Sequence, residues 1–274
     1  MKLKKMLMAA MLAACTLLTG CGGGGDQPAS EAPKDDAKGK TIVVGLDDEY
    51  PPMGFKDENN MIVGFDVDLA KEAASRLGRP VEFKGIDWAS KEAELKSGRV
   101  DILWNGLDIT PEREKNMLFS DPYMDNRQIV FVRHSEEPSA ITGEESLNGL
   151  TVGTQAASTA EEYFASNAEL TGSLKELKTY GDYISAFMDL ENGRLDAIVC
   201  DEIVGRYYMS KHPEKIDALD VAIGPTSQFG IAFRKDDNEL RDEVQKAFDE
   251  MVKDGAATEI SNQWFGSDLI KKKM

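Results

Sequence analysis

The sequence predicts an α/β protein of two lobes with a cleft between them. Two observations support this: short β-rich runs alternate with helical patterns in two successive series, and extended segments join those series. Such alternation favours a mainly parallel sheet flanked by helices in each lobe. Residues 41–127 and 223–274 are predicted to form lobe 1, and residues 128–222 lobe 2. In this arrangement a ligand binds where strand ends meet helix starts.

The first series supplies three strands and two helices. The helix predicted over 66–77 places Leu69, Ala73 and Leu77 on one face, and Gly78 stands where a left-handed residue ends a helix. The other elements of this series are strands at 41–46, 81–83 and 100–104 and a helix at 90–96.

The second series repeats the alternation before the chain returns to lobe 1. On the return, a long amphipathic helix at 239–252 places Leu240, Val244 and Phe248 on one face. The remaining predicted elements are strands at 128–132, 150–153, 176–179, 196–200 and 230–233, with helices at 159–168, at 182–192 and from about 201.

The first twenty residues have the order of a secretory signal peptide. Three lysines precede an apolar segment at 6–18 that is too short to span a bilayer. Residues 18–21, Leu-Thr-Gly-Cys, resemble the bacterial lipobox, in which a peptidase cuts before a lipid-modified cysteine. We therefore expect removal of residues 1–20, a lipid on Cys21, and a flexible tether over 21–40. The alternative is an ordinary signal peptide with an incidental cysteine.

Composition argues against several partners and sites. The formal net charge of −17 argues against nucleic acid or an anionic membrane surface as a partner. With Cys15 in the signal peptide and Cys21 acylated, Cys200 has no partner for an intrachain disulfide. The chain contains two histidines, His134 and His212, and no cysteine cluster, so we expect neither a metal nor a cofactor.

Two polar segments follow predicted strands and are candidates for binding. Asp47 and Tyr50 come directly after the strand at 41–46, in a loop that prolines fix. The strand at 100–104 leads through Gly106 to Asp108 and then to a short helix that holds Arg113. An arginine there offers a planar set of donors suited to a carboxylate. Taken alone, the first segment also fits an acidic turn, and Arg113 a surface salt bridge.

Seven motifs occur in a characteristic order: GFDVDL at 64–69, TPER at 110–113, FSDPY at 119–123, GLTVG at 149–153, the segment 196–201, QFGIAF at 228–233 and WFG at 264–266. In this order they resemble the polar amino-acid family of solute-binding proteins that serve ABC importers. The similarity spans about residues 41–266, which is essentially the whole of the predicted mature domain. The resemblance implies the two-lobed type II fold of periplasmic binding proteins.

The resemblance also implies a role for each candidate side chain. Arg113 matches the arginine that binds the ligand α-carboxylate, and Asp201 matches the aspartate that binds the α-ammonium. A backbone group at Gly106 binds the same ammonium, and Asp108 replaces the usual serine or threonine. The predicted ligand-binding residues are Asp47, Tyr50, Trp88, Asn105, Gly106, Asp108, Arg113, Gln155, Ser158, Thr159 and Asp201.

Several of these positions carry an alternative. Asp108 is expected to hold an ammonium more strongly than a hydroxyl, to reach a cationic side chain, or to pair with Arg113. The loop at 153–160 is predicted to present N–H groups at a helix amino terminus to an anion, although Ala157 replaces the usual glycine there. Ser158 equally fits the cap of the helix that follows it, and Asp201 also stands where it would cap the next helix, a position that does not exclude ligand binding.

Aromatic residues are expected both in the pocket and in the core. Tyr50 and Trp88 match family positions that sandwich the ligand side chain, and aromatic faces attract cations. Together with Asp47 and Asp108 they favour arginine, lysine or histidine as ligand, with glutamine or cystine as the alternative. Trp104 and Trp264 are interpreted as packing residues.

The sequence thus predicts a binding protein that delivers a free L-amino acid to ABC permease subunits and is not an enzyme. We expect a monomer anchored to the outer face of the cell membrane through the lipid on Cys21. One alternative is a cyclohexadienyl-type dehydratase on the same fold, with Asp108 or Glu49 as its acid. Another is a sensory receptor lobe, although nothing after residue 266 is apolar enough for the usual membrane span.

Overall fold

The computed structural model of the chain describes residues 39–137 and 139–272. The predicted signal peptide, Cys21 and the tether up to residue 38 lie outside the described residues. No helix of the described part is long and apolar enough to cross a bilayer. That part also contains no group of three or more His, Cys, Asp or Glu side chains arranged to hold a metal ion.

Strands and helices alternate in the described residues much as the sequence predicts. In chain order the strands are β1 (Ile42–Leu46), β2 (Glu49–Tyr50), β3 (Gly54–Lys56), β4 (Ile62–Val63), β5 (Val81–Gly85), β6 (Ile102–Asp108), β7 (Met117–Phe119), β8 (Met124–Asn126), β9 (Gln128–Arg133), β10 (Thr151–Gln155), β11 (Glu176–Tyr180), β12 (Ala197–Asp201), β13 (Ile216–Ala222) and β14 (Ser227–Arg234). The α-helices are α1 (Phe65–Leu77), α2 (Lys91–Lys96), α3 (Arg113–Asn116), α4 (Thr159–Ser166), α5 (Ala168–Ser173), α6 (Tyr183–Glu191), α7 (Glu202–Lys211), α8 (Asn238–Asp254) and α9 (Ala256–Phe265).

Each lobe is built on one large mixed sheet. The first sheet has the order β5-β1-β6-β14-β7, with β8 paired to β14, and the second has the order β11-β10-β12-β9-β13. In the first sheet β5, β1 and β6 are parallel, while β14 is antiparallel to its partners. In the second, β11, β10 and β12 are parallel, while β9 is antiparallel to β12 and β13.

The prediction of mainly parallel sheets is therefore wrong for the strands that join the lobes. The chain passes from β8 to β9 and from β13 to β14 without an intervening helix. Each connection carries the chain into the other sheet, where β9 runs antiparallel to β12 and β13, and β14 runs antiparallel to β6, β7 and β8. The two connections, at residues 126–128 and 222–227, are the described links between the sheets.

Helices α1 and α8 pack against each other and bury the predicted faces. Helix α1 ends at Gly78, whose φ of 63° lets its N–H reach back to the helix carbonyls. On α8, Leu240, Val244 and Phe248 are buried. The ring of Phe248 packs edge-on against Trp104 of β6, with centroids 6.1 Å apart. Trp104 is therefore a core residue, as predicted.

Some element boundaries differ from the prediction for local reasons. The single helix expected at 159–168 is divided into α4 and α5, because the side chain of Asn167 accepts the Leu170 N–H and starts a new helix. Gly255, with φ of 90°, separates α8 from the unpredicted α9. Strand β6 continues past Trp104 to Asp108, which brings that carboxylate to the end of the strand.

Candidate functional site

Acidic and amide side chains from both lobes meet at the carboxyl ends of the strands. Asp47 follows β1 and Asp108 ends β6 in lobe 1, whereas Gln155 ends β10 and Asp201 ends β12 in lobe 2. All four are buried. The structure therefore brings together predicted site residues that lie far apart in the sequence, at the edge where α/β proteins bind ligands.

Asp108 and Asp201 share a neutral donor. The amide nitrogen of Asn126 lies 3.1 Å from Asp108 Oδ1 and 2.5 Å from Asp201 Oδ1. Ser227 Oγ donates a second hydrogen bond to Asp108 Oδ1, at 2.6 Å. Burial and then the charge of Asp108 raise the pKa of Asp201 to about 6. Two buried carboxylates held by neutral groups form a site that attracts a cation.

Asp201 does not use its side chain to cap the helix that follows it. Although it stands at the N-cap position of α7, its carboxylate makes no capping hydrogen bond. It instead accepts from Tyr50 Oη at 2.5 Å, across the cleft, and from Gln128 Nε2 at 2.7 Å. The helix-cap alternative is therefore wrong for the side chain, which faces the cleft.

Arg113 is buried, and its guanidinium contacts both lobes. The Glu112 side chain makes no capping hydrogen bond, and the backbone N–H of Arg113 donates instead to Thr110 Oγ1 at 3.2 Å, which fixes the start of α3. Nη1 donates to the backbone oxygen of Asp108 at 3.0 Å and to Thr159 Oγ1 at 3.3 Å. The expected pairing with the Asp108 carboxylate is not found, because that carboxylate is held by Asn126 and Ser227.

The loop before α4 also faces the other lobe. Ala157 has the left-handed φ of 55°, a conformation that favours glycine. Its carbonyl accepts from Lys91 Nζ at 2.8 Å and from Arg113 Nη2 at 3.3 Å. Its N–H donates to Glu161 Oε2, and Ser158 Oγ caps the helix by accepting from Glu161 N–H at 3.1 Å. The helix-cap interpretation of Ser158 is thus confirmed.

A second acidic group lies beside Gln155. Gln155 Nε2 donates to Asp47 Oδ2 at 2.6 Å and to the Gly181 carbonyl at 2.8 Å. Asp47 Oδ1 accepts from the Glu49 N–H, and the Asn105 side chain accepts from the Asp47 N–H at 3.0 Å. Burial raises the pKa of Asp47 to about 6. The Asn105 side chain therefore fixes the backbone of the loop that carries Asp47 and Glu49.

Gly106 is held against Tyr50 in a conformation that favours glycine. Its φ is 57°, and a Cβ added there would lie 3.0 Å from the Tyr50 ring. The Gly106 N–H donates to buried Asp66 Oδ2 at 2.7 Å, and Tyr123 Oη donates to the same oxygen. Burial raises the pKa of Asp66 to about 7. Asp66 thus positions the backbone that was predicted to contact a ligand.

The two predicted pocket aromatics have different surroundings. The ring centroids of Tyr50 and of Tyr183 in lobe 2 lie 6.1 Å apart, and the two ring planes are tilted by 39°. Trp88 is buried in a hydrophobic cluster with Leu103 and Leu107, and Lys91 Nζ lies 5.0 Å from its ring centroid. Burial and then the charge of Arg113 lower the pKa of Lys91 to about 8.

Several residues of this site were not predicted as ligand-binding from the sequence, among them Asn126, Gln128, Ser227, Lys91 and Glu162. The run Asp125–Gln128 (Asp-Asn-Arg-Gln) is polar just before an apolar strand, which was the available signal for the first two. Glu162 Oε1 accepts from Arg113 Nε at 3.0 Å, 49 positions away in the sequence. Glu162 stands in the first turn of α4, where an acid is ordinary, so its sequence position gives no sign of this contact.

The free energy of unfolding is expected to increase by roughly 3 to 4 kcal/mol from pH 7.5 to pH 5.5. The raised pKa values of Asp47, Asp66 and Asp201 mean that the folded state takes up protons over this interval, whereas the unfolded chain does so only near pH 4. Their contribution is therefore present at acidic pH and is lost as the pH rises through 6 to 7. Urea unfolding at both pH values measures the change. Asn cannot ionise, so Asp66→Asn should reduce the dependence of the free energy of unfolding on pH. A free energy of unfolding that falls between pH 7.5 and pH 5.5 would contradict the expectation.

Comparison with known proteins gives one consistent family. Residues 42–267 match the model of bacterial extracellular solute-binding proteins, family 3. The L-cystine-binding protein TcyJ of Escherichia coli K12 is 31% identical over 231 residues, covering 84% of this chain and 85% of that protein. The ABC transporter arginine-binding protein 1 of the same organism is 31% identical over 268 residues, covering 96% and 99%.

The same similarity extends to three dimensions. An ABC uptake transporter substrate-binding protein from Streptococcus pneumoniae, solved with bound histidine, superposes with a TM-score of 0.80 and 34% identity. The match covers 85% of this chain and 95% of that one. The predicted two-lobed type II fold is thereby confirmed.

Proposed function

Because the chain belongs to the bacterial extracellular solute-binding proteins of family 3, we propose that it binds a free polar L-amino acid in its cleft and delivers it to the membrane subunits of an ABC permease. The observation that carries this proposal is that Arg113, Asp108 and Asp201 are all buried and belong to one network: Arg113 donates to the backbone oxygen of Asp108, and Asn126 joins the Asp108 and Asp201 carboxylates. A buried guanidinium and two buried carboxylates in one site complement the carboxylate and ammonium of one α-amino acid. The three known proteins described above bind cystine, arginine and histidine.

Closure of the lobes around the ligand would provide the signal to the permease. Arg113 and Asp108 come from the lobe of the first sheet, and Thr159 and Asp201 from the lobe of the second. A ligand that carries both charged groups therefore binds the closed arrangement better than the open one, and it shifts the population toward closure. We place the lobe boundaries at residues 41–127 with 223–274, and at 128–222.

The acidic character of the cleft favours a basic side chain on the ligand. Asp47 lies close enough to Asp182 and Glu49 for both acids to contribute to its raised pKa, after burial. A cationic side chain in this region would compensate that charge. Glutamine or cystine is the second candidate. Asp47 accepts a hydrogen bond from the Gln155 amide, and the amide of a glutamine ligand could donate in the same way. Lys91, whose ammonium lies over the Trp88 ring, offers a further cation for the second carboxylate of cystine.

We propose that the protein releases its ligand without changing it chemically. In a dehydratase of this fold, a carboxylic acid would act next to the substrate. Here Asp108 accepts from Asn126 and Ser227, and Asp201 accepts from Tyr50, so both carboxylates are arranged as acceptors for a cation. A monomer is sufficient for this function.

We further propose that Cys21 carries the lipid that anchors the protein at the outer face of the cell membrane. The tether over 21–40 then lets the lobes reach both ligand and permease. Anchoring keeps the binding protein concentrated near its transporter. Mass spectrometry of the membrane fraction tests this: a mature chain beginning at an acylated Cys21 is expected, and a soluble chain cleaved elsewhere would overturn the proposal.

Thermal-shift measurements of the purified protein against the free L-amino acids test the proposed ligand class. We expect the melting temperature to rise with arginine, lysine or histidine, since a ligand that binds only the folded state stabilises it. A rise only with glutamine or cystine would establish the second candidate, and one only with acidic amino acids would overturn the basic preference. Amino-acid analysis of the same samples should show no loss of ligand; turnover would contradict the transport function.

A further inference from the structure

Arg113 already holds a carboxylate that belongs to the protein itself. Glu162, on α4 of the second lobe, places Oε1 at 3.0 Å from Arg113 Nε and 2.8 Å from Arg113 Nη2. The arginine side chain is 3% exposed and the glutamate side chain 38%. One oxygen therefore occupies the edge of the guanidinium that carries a donor pair, which is the edge that a ligand carboxylate would use.

The remaining donors of Arg113 are also occupied. A guanidinium has five N–H donors, and the other contacts go to Asp108 O, Thr159 Oγ1 and Ala157 O. With Glu162 counted at two nitrogens, there are five donor–acceptor contacts for five N–H groups. An incoming carboxylate can bind Arg113 only by displacing one of these acceptors.

Glu162 is the acceptor that can leave at least cost. The acceptors of Asp108 and Ala157 are backbone carbonyls, the first within β6 and the second in a loop whose carbonyl also accepts from Lys91. Glu162 is instead a flexible side chain, partly open to solvent, and its carboxylate can be rehydrated when it turns outward. When Glu162 turns away, the Nε and Nη2 donors of Arg113, which lie on the same edge of the guanidinium, become free together.

We propose that Glu162 competes with the α-carboxylate of the ligand for Arg113, and that it thereby sets the affinity and selects ligands that carry a carboxylate. This inference rests on the proposed function. The pair also joins the lobes, so in the unliganded protein it holds them closer together than they would otherwise lie. The ligand replaces an existing contact between lobes, and the net affinity is correspondingly lower.

Glu162→Gln tests the competition because it keeps the size of the side chain and removes its charge. The amino acid that the thermal-shift screen selects, L-arginine in the first instance, is expected to bind about fivefold more tightly to this variant, as measured by isothermal titration calorimetry. Glu169→Gln, an equal charge change at an exposed position of α5 in the same lobe, is the control and should leave the affinity unchanged.

The α-carboxamide of the same amino acid, L-argininamide in the first instance, separates competition from a general effect of charge. A neutral amide cannot replace a carboxylate on Arg113, so its affinity should not increase in Glu162→Gln. Equal gains for acid and amide, or an unchanged or weaker affinity for the acid, would overturn the competition. Absence of amino-acid binding by the unsubstituted protein would instead overturn the proposed function.

Small-angle X-ray scattering of the ligand-free proteins provides a readout that does not depend on the ligand. Glu162→Gln is expected to have a larger radius of gyration than the unsubstituted protein, because one charged contact between the lobes is gone. Glu169→Gln should show no change. An unchanged radius in Glu162→Gln would overturn the role of Glu162 in holding the lobes together.

Discussion

Arg113→Ala is expected to weaken amino-acid binding by at least about 100-fold while the protein remains folded. The substitution leaves the ligand carboxylate in a buried site without a charged partner. It also leaves the Asp108 carbonyl and the Thr159 hydroxyl without the guanidinium that joins them. Isothermal titration calorimetry measures the loss of affinity, and circular dichroism establishes that the fold is retained.

Two further variants make this result specific. Arg113→Lys keeps the positive charge but not the planar set of donors, so its affinity should lie between those of the unsubstituted protein and Arg113→Ala. Arg194→Ala removes an arginine whose side chain is 65% exposed and paired with Asp189, and it should bind normally. Retained affinity in Arg113→Ala would show that the carboxylate binds elsewhere.

Asp201→Asn is expected to weaken binding by about 30-fold or more and, at pH 7.5, to stabilise the free protein. The ligand ammonium loses a charged acceptor, which accounts for the first effect. The second follows because the buried carboxylate, whose pKa is raised to about 6, is ionised at pH 7.5 at a cost in stability that an amide avoids. Titration calorimetry and urea unfolding measure the two effects on one preparation.

The expected loss of affinity together with a gain in stability distinguishes a binding residue from a structural one. If Asp201 served only to support the fold through Tyr50 and Gln128, its substitution would lower stability and affinity together. Asp242→Asn, at a side chain that is 67% exposed, controls for the loss of one negative charge and should change neither quantity. Binding that survives in Asp201→Asn would remove this residue from the ammonium site.

Local rules predicted much of the fold from the sequence. The helix predicted at 66–77 is α1, Phe65–Leu77, because its apolar spacing and Gly78 both act within one turn of the chain. Strand ends followed by polar residues likewise indicated Asp47 and Asp201. The roles of the individual site residues remain predictions, which the substitutions described above test.

The partners within the site could not be predicted in the same way. Asp108 takes hydrogen bonds from Asn126 and Ser227, the latter 119 positions away, so its expected contact with nearby Arg113 is replaced. Arg113 donates to the carboxylate of Glu162, which lies in the opposite lobe. These choices depend on how the lobes meet, a tertiary property that neither periodicity nor helix capping encodes. The antiparallel direction of β9 and β14 likewise depends on how the chain crosses between lobes.

The position of Asn126 has a mechanical consequence. This residue ends β8, directly before one connection between the sheets, and its amide reaches Asp108 in one lobe and Asp201 in the other. Ser227, which also contacts Asp108, follows the second connection. A rotation of the lobes about these two connections would move the nearby groups least, so we expect the two acids to keep their separation while the more distant surfaces swing. We therefore expect the cation anchor to be preassembled in the open protein, with the ligand docking there before the lobes close.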